Sequence, residues 1–144
     1  MRELKASELR VGNWVVTRRG YSQVTDIRAF DNQSISYSYK MPDGEIFNTA
    51  SQLDEVDPVT LTEEILLKCG FERIGGSAHI KSPVFGNYEW IELDWDGDHF
   101  NVFYRQENTE GEIDTILQYI ELVHIHELQN WWKVNTGEEL NVQL

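Results

Sequence analysis

The sequence predicts a mainly β, α+β protein in two parts. A small β-barrel covers residues 1–58, and an acidic α-β-β-β-α unit covers 59–144, with its helices on one face of an antiparallel sheet. Three observations carry this. Short alternating stretches separated by turn residues fill residues 9–57. Asp57-Pro58 marks a break. From Leu61 onward come a well-capped helix, three or four strands and a second, amphipathic helix.

The bulk properties agree. At 144 residues the chain is one domain or two very small ones, and 40% apolar with 12% aromatic content fits a folded protein rather than a disordered one. Cys69 is the only cysteine, which excludes an intrachain disulfide and fits a reducing compartment. No apolar run approaches the ~20 residues of a membrane span, and MRELKASELR lacks the apolar core of a signal peptide. The expectation is a soluble cytoplasmic protein with no membrane partner.

The net charge of −13 is unevenly spread. Residues 1–58 carry seven Lys and Arg against nine Asp and Glu, for −2; residues 59–144 carry five against sixteen, for −11. A surface of that sign repels phosphate backbones and attracts basic partners. Solubility alone is the plainer explanation of the same acids.

In the first part, Leu9–Val16 (LRVGNWVV) reads as an opening strand, and Tyr21–Ala29 follows a turn at Arg18-Arg19-Gly20. Ser34–Met41 alternates strictly, with Ile35, Tyr37 and Tyr39 on one face and serines on the other, as a half-buried strand does. Pro42-Asp43-Gly44 is a turn, because Pro presets φ and Asp and Gly tolerate the left-handed region. Glu45–Val56 supplies one or two further strands. The L-x-x-G-N-x-V opening resembles the first strand of SH3-like barrels, so an SH3-like β-barrel is the expected form of this part.

In the second part, Leu61–Gly70 is a short helix. Thr62 is its N-cap, Glu63 and Glu64 occupy the first turn, Leu61 and Leu66 form the staple, and Gly70 closes it. Ile65, Leu66 and Cys69 face inward, which makes Cys69 a core residue rather than a reactive thiol. Ile74–Gly86 is a connection with a short strand at His79–Lys81. Residues 88–105 read as a hairpin closed by Asp96-Gly97, pairing Trp95 with Asp98, Leu93 with Phe100 and Ile91 with Val102. Its apolar face is Ile91, Leu93, Trp95, Phe100, Val102 and Tyr104. Thr115–Val123 is a third strand. The helix His124–Gly137 carries Ile125, Leu128 and Trp132 on one stripe, widened by Trp131, and should pack on the strands of 88–122.

The other hairpin face holds Trp90, Glu92, Asp94, His99, Asn101 and Phe103, half acidic and half aromatic. With Trp90, Glu92, Asp94, His99 and Phe103 exposed, it is the first candidate binding surface. Arg18 and Arg19 with Tyr37 and Tyr39 are the alternative, a basic and aromatic set on the barrel that could meet peptide or nucleic acid; core packing of the tyrosines competes with it. A groove for nucleic acid would also enlist Arg28. His124-x-His126 could be a metal pair, but a strand–helix junction explains it better. Asp94–Asp98 lacks the Gly and Glu spacing of a calcium loop, and the hairpin turn explains it. No phosphate loop, nucleophile elbow or zinc-protease motif appears, so no enzyme activity, metal or cofactor is expected.

The segments LRVGNWV, PVTLTEEILLKCGFE and IHELQNWWKVNTGEEL together resemble a family of small uncharacterised proteins of Bacteroides-type bacteria and their phages and mobile elements. That family reads L-R-I-G-N near the start, P-[IV]-x-L-T-E-E-x-L-x-K-x-G-F in the middle and H-Q-L-Q-N-L-Y-x-x-L-T-G-E-E-L at the end. Here Glu127 replaces the usual Gln and Trp131-Trp132 the usual Leu-Tyr. The resemblance implies a bacterial cytoplasm, that of an infected host if a phage encodes the protein, and no substrate. The leading expectation is a non-enzymatic acidic interaction protein, with a basic protein as partner, inhibiting a host nucleic-acid-binding or defence protein. The alternatives are a nucleic-acid-binding module acting through the barrel and a small-ligand protein with a pocket between the two parts.

Overall fold

The computed structural model describes residues 4–27 and 34–144, apart from the side chain of Tyr119. Ala29 and Arg28 lie outside the described residues. In chain order the elements are β1 (Trp14–Thr17), β2 (Gly20–Ile27), β3 (Ser34–Lys40), β4 (Ile46–Gln52), β5 (Asp57–Pro58), α1 (Glu63–Lys68), β6 (Glu72–Arg73), β7 (Ile80–Lys81), β8 (Glu89–Trp95), β9 (Phe100–Glu107), β10 (Ile113–Leu122) and α2 (Ile125–Thr136). Single 3-10 turns lie at Ala6–Glu8 and Leu53–Glu55. The fold is α+β with two antiparallel sheets. It divides into two compact units: Met1–Thr60 with His124–Asn130, and Leu61–Val123 with Trp131–Leu144. The sequence reading placed all of 59–144 in one unit; residues 59–60 and 124–130 group instead with the first.

The first unit is a five-stranded sheet in the order β4-β3-β2-β1-β5. Val15, Val24, Ile35 and Tyr37 join Leu4, Ala6, Leu9, Leu53 and Val56 in its core, with Tyr39 half-buried against them. The alternation of β3 is as the sequence predicts. So is the turn after it: Gly44 N–H donates to the Met41 carbonyl at 2.9 Å, and Glu45 N–H to Asp43 Oδ1 at 2.9 Å. The closed SH3-like barrel does not form. Among the described residues β4 pairs only with β3, and β5, two residues long, pairs only with β1. Closure needs an apolar inner face on the last long strand. β4 (IFNTASQ) offers mostly small polar side chains, and its Ile46 and Phe47 are exposed.

The LRVGN stretch is a turn rather than a strand. Gly12, at φ +96°, adopts a conformation that suits glycine, and Asn13 is fully buried. Around this turn, residues 8–14 are bound by the first half of α2. Gln129 Oε1 accepts from Trp14 N–H at 2.9 Å, and its Nε2 donates to the Gly12 carbonyl at 3.0 Å. Asn130 Oδ1 accepts from Asn13 Nδ2 at 2.9 Å and Arg10 Nε at 3.1 Å, while its Nδ2 donates to the Glu8 carbonyl at 3.0 Å. His126, also buried, places Nε2 3.1 Å from Glu8 Oε1. Burial holds the His126 ring below its ordinary pKa, against the pull of Glu127 and Glu8.

α2 begins with half of a capping box: Glu127 Oε1 accepts from His124 N–H at 2.8 Å. Gly137, at φ +77°, follows its last residue.

The second unit is a five-stranded sheet in the order β10-β9-β8-β7-β6. α1 forms as its end signals predict. Thr62 Oγ1 accepts from Ile65 N–H at 3.2 Å. At the other end Phe71 N–H reaches the Leu66 carbonyl at 3.1 Å and Gly70 N–H the Leu67 carbonyl at 3.2 Å, a Schellman closure with Gly70 at φ +86°. The hairpin register differs from the sequence reading: Trp95 pairs with Phe100, Leu93 with Val102 and Ile91 with Tyr104. Asp96 sets this longer loop, since its Oδ1 accepts from Asp98 N–H at 3.0 Å and His99 N–H at 3.1 Å. A shift of two residues keeps every side chain on its expected face. Ile91, Leu93, Phe100 and Val102 are accordingly buried, whereas Trp95 at the tip is exposed. The second half of α2 joins this inner face through Phe85, which meets Trp132 edge-on at 5.1 Å and Tyr104 at 6.4 Å.

Replacing Gln129 by alanine strands the Trp14 N–H and leaves the Gly12 carbonyl only its bond from Gln23 Nε2. A loss of about 1–3 kcal/mol is expected in urea unfolding, while the exposed Gln143→Ala control stays within about 0.5 kcal/mol. An unchanged midpoint for Gln129→Ala would mean that the carboxamide does not hold this turn.

Candidate binding surface

Alternation along β8 and β9 places Trp90, Glu92 and Asp94 on one face with Arg105, Phe103 and Asn101 directly opposite. Lys81 of β7 pairs with Glu92 and shares this face. All five residues of the first candidate surface therefore do lie on one side of the sheet or at its hairpin end. They are not uniformly exposed. Trp90 and Glu92 are each 7% exposed, and Asp94, His99 and Phe103 are half-buried.

The reason is a set of basic side chains that closes over the carboxylate. Glu92 accepts from Trp90 Nε1 at 2.9 Å, pairs with Arg105 at 2.5 Å and lies 3.1 Å from His79 Nδ1. His79 stacks on Phe103 at 4.9 Å, and Lys81 sits over the Trp90 ring at 4.6 Å. Burial pushes the Glu92 carboxyl up, but the hydrogen bonds from Trp90 and His79 and the charge of Arg105 outweigh it and hold the group below the usual carboxylate range. This face is thus a satisfied polar cluster, not an open acidic patch. Sequence reasoning followed the alternation as far as Phe103; two residues further lay Arg105, on the same face by the same period. His79 was readable only with the register of β7 in hand.

At the hairpin end His99 Nε2 lies 3.1 Å from both Asp96 Oδ2 and Asn101 Oδ1. The two backbone N–H groups on Asp96 hold its carboxylate below the usual range. His124 and His126 stack at 5.6 Å, each against its own carboxylate, Glu127 and Glu8. Among the described residues no group of three His, Cys, Asp or Glu side chains is arranged to hold a metal ion.

On the first unit, the alternative set is only partly assembled. Arg19 lies over the Tyr39 ring at 5.4 Å, and Tyr39 stacks on Phe47 at 6.0 Å. Arg18 is exposed, and Tyr37 is a core residue, 1% exposed.

The second unit also holds a cleft of about 590 Å³ lined by Cys69, Phe85, Trp132, Thr136, Glu138 and Leu140, among others. Burial pushes the Cys69 thiol up to about 12. That agrees with its reading as a core residue.

One feature outside both candidate sets stands open. Residues 107–117 form an uninterrupted exposed run that covers the β9–β10 loop and the start of β10. Among the described residues β10 is an edge strand, paired only with β9. It exposes Ile113 by 54%, Ile116 by 57% and Leu117 by 45%. Between Glu107 and Val123 stand Glu107, Glu110, Glu112, Asp114 and Glu121, and no Lys, Arg or His. The sequence carries part of the signal, since four acids precede or interleave with Ile113, Thr115 and Ile116; that the strand lies at the sheet edge follows only from the fold.

No protein-family model, curated protein or solved structure matches the chain.

Two measurements check this geometry. Because the folded pKa of Glu92 is depressed, the stability it contributes is present above the unfolded value of about 4.3 and is lost as pH falls through the folded value. The urea midpoint of Glu92→Gln should therefore lie below that of the wild type at neutral pH and converge with it in acid; parallel curves would deny the cluster its charge. Cys69 should resist a thiol-specific reagent in the native chain and react on unfolding, and rapid native labelling would contradict its burial.

Proposed function

We propose that this chain is a non-enzymatic interaction protein whose acidic second unit binds a basic protein. The observation that carries the reading is the exposed run at residues 107–117, where carboxylates flank an apolar edge strand. Exposed apolar side chains ringed by charge of one sign suit a partner that is apolar at the centre of the contact and basic at its rim. In the bacterial or phage setting implied by the sequence resemblance, a nucleic-acid-handling or defence protein is the concrete partner class. Its phosphate-binding surface would meet carboxylates in place of phosphates, and the chain would act by occupying it. The five residues around Glu92 serve this reading as the support of β9 rather than as the contact itself.

A second reading rests on Arg19 lying over Tyr39 beside exposed Arg18: single-stranded nucleic acid bound at the β1–β2 turn. A gel shift at low salt that Arg19→Ala abolishes would favour it.

The first reading makes a salt prediction. With the intact chain as bait, basic nucleic-acid-handling proteins of a bacterial lysate are captured at about 50 mM salt and released at about 500 mM, where exposed charges are screened within a few ångströms. An empty capture, or one indifferent to salt, counts against it.

A further inference from the structure

We propose that β10 is a docking edge for strand addition, and that its occupant is an extended basic segment of the partner protein. This rests on the acidic-interaction reading above and says how the contact is made. An edge strand directs alternate backbone N–H and C=O groups away from its neighbour, where an incoming strand can pair with them.

Protein edges are ordinarily protected by lysine, proline, an inward charge or a bulge. The stretch Ile113–Gln118 holds no proline or basic residue; its one charge, Asp114, shares the face of Ile116 but is exposed, and the ladder to β9 stays regular until the irregularity between Gln118 and Glu121. Ile113, Thr115 and Ile116 are β-branched, which suits an extended backbone. The alternation sets Ile113, Thr115 and Leu117 on one face and Asp114, Ile116 and Gln118 on the other. An added strand therefore meets exposed apolar side chains on both faces.

Charge decides the occupant. A second copy pairing edge to edge would bring two sets of Glu110, Glu112 and Asp114 close together, with no basic residue between positions 107 and 123 to oppose them. Like charges facing across strands destabilise the pair. A segment with alternating apolar residues and Lys or Arg at its ends turns the same carboxylates into partners. None of Glu107, Glu110, Glu112 and Asp114 forms an ion pair among the described residues. The other long edge, β4, holds no acid between Ile46 and Gln52, so it has no such preference and provides an internal control.

The test uses the isotope-labelled full chain and a blocked peptide, Lys-Lys-Thr-Val-Thr-Val-Thr-Lys-Lys. Two control peptides accompany it, one with Glu for every Lys and one N-methylated at two adjacent central amides so that neither of its edges can pair. The expected result is a set of amide shifts concentrated in residues 107–118. Affinity should fall by about tenfold or more with either control peptide and in Ile116→Lys, while Phe47→Lys on β4 leaves it unchanged. Ile116 is exposed, so its replacement leaves the fold intact.

If the methylated peptide binds equally well, or if the shifts fall elsewhere, strand addition is overturned and the basic-partner reading survives. If the Lys peptide does not bind, or the Glu peptide binds equally well, both fail. A chain that dimerises without peptide, and that Ile116→Lys returns to monomer, would make the occupant a second copy and overturn the assignment to a basic segment.

Discussion

Gln129 supplies the acceptor for the Trp14 N–H and, beside Gln23 Nε2, a second donor to the Gly12 carbonyl. The turn over residues 9–13 takes its shape from Gly12 and turns the backbone of residues 12–14 toward α2. One carboxamide then satisfies both a donor and an acceptor, and its neighbour Asn130 satisfies the buried Asn13 side chain and the Glu8 carbonyl. The start of β1 is held from two sides, by this exchange and by the backbone bonds of Gly12 N–H and the Asn13 carbonyl to Val24. A hydrophobic contact could press the helix against the sheet, but it could not fix the backbone direction at Trp14. Paired hydrogen bonds to the main chain can, because they are directional and costly to leave unmade.

The second unit separates its charges by role. Glu92 is inside, enclosed by Trp90, His79 and Arg105, and its charge ties β8 to Arg105 of β9 and to His79 just before β7. The carboxylates from Glu107 to Asp114 are outside and meet no basic side chain among the described residues. A net charge alone does not distinguish these uses. Burial and partners do.

Much of the local structure was legible in the sequence, and the reasons are local. Thr62, Gly70 and the Pro42-Asp43-Gly44 turn act within a few residues, so their chemistry can be read without a fold. The alternation of β3 and of the 88–105 hairpin survives a register shift of two because the period of a strand is two. What was not legible depends on distance along the chain. Residues 129 and 13 are brought together only by folding, so a helix with an apolar stripe looked like a partner for the nearby strands alone. The same holds for Arg105 over Glu92, which converts an apparent acidic patch into a closed cluster. The barrel failed for a subtler reason: counting strands does not show whether the last one has an apolar inner face, and β4 does not.

Amide hydrogen exchange on the dilute native chain reads whether β10 presents an open, usable edge. If the edge is open, amides within Ile113–Gln118 alternate between protected and fast-exchanging, and those of β8 from Trp90 to Asp94 are slow. Uniform slow exchange through Ile113–Gln118 would mean that this edge is already covered, and would contradict the account.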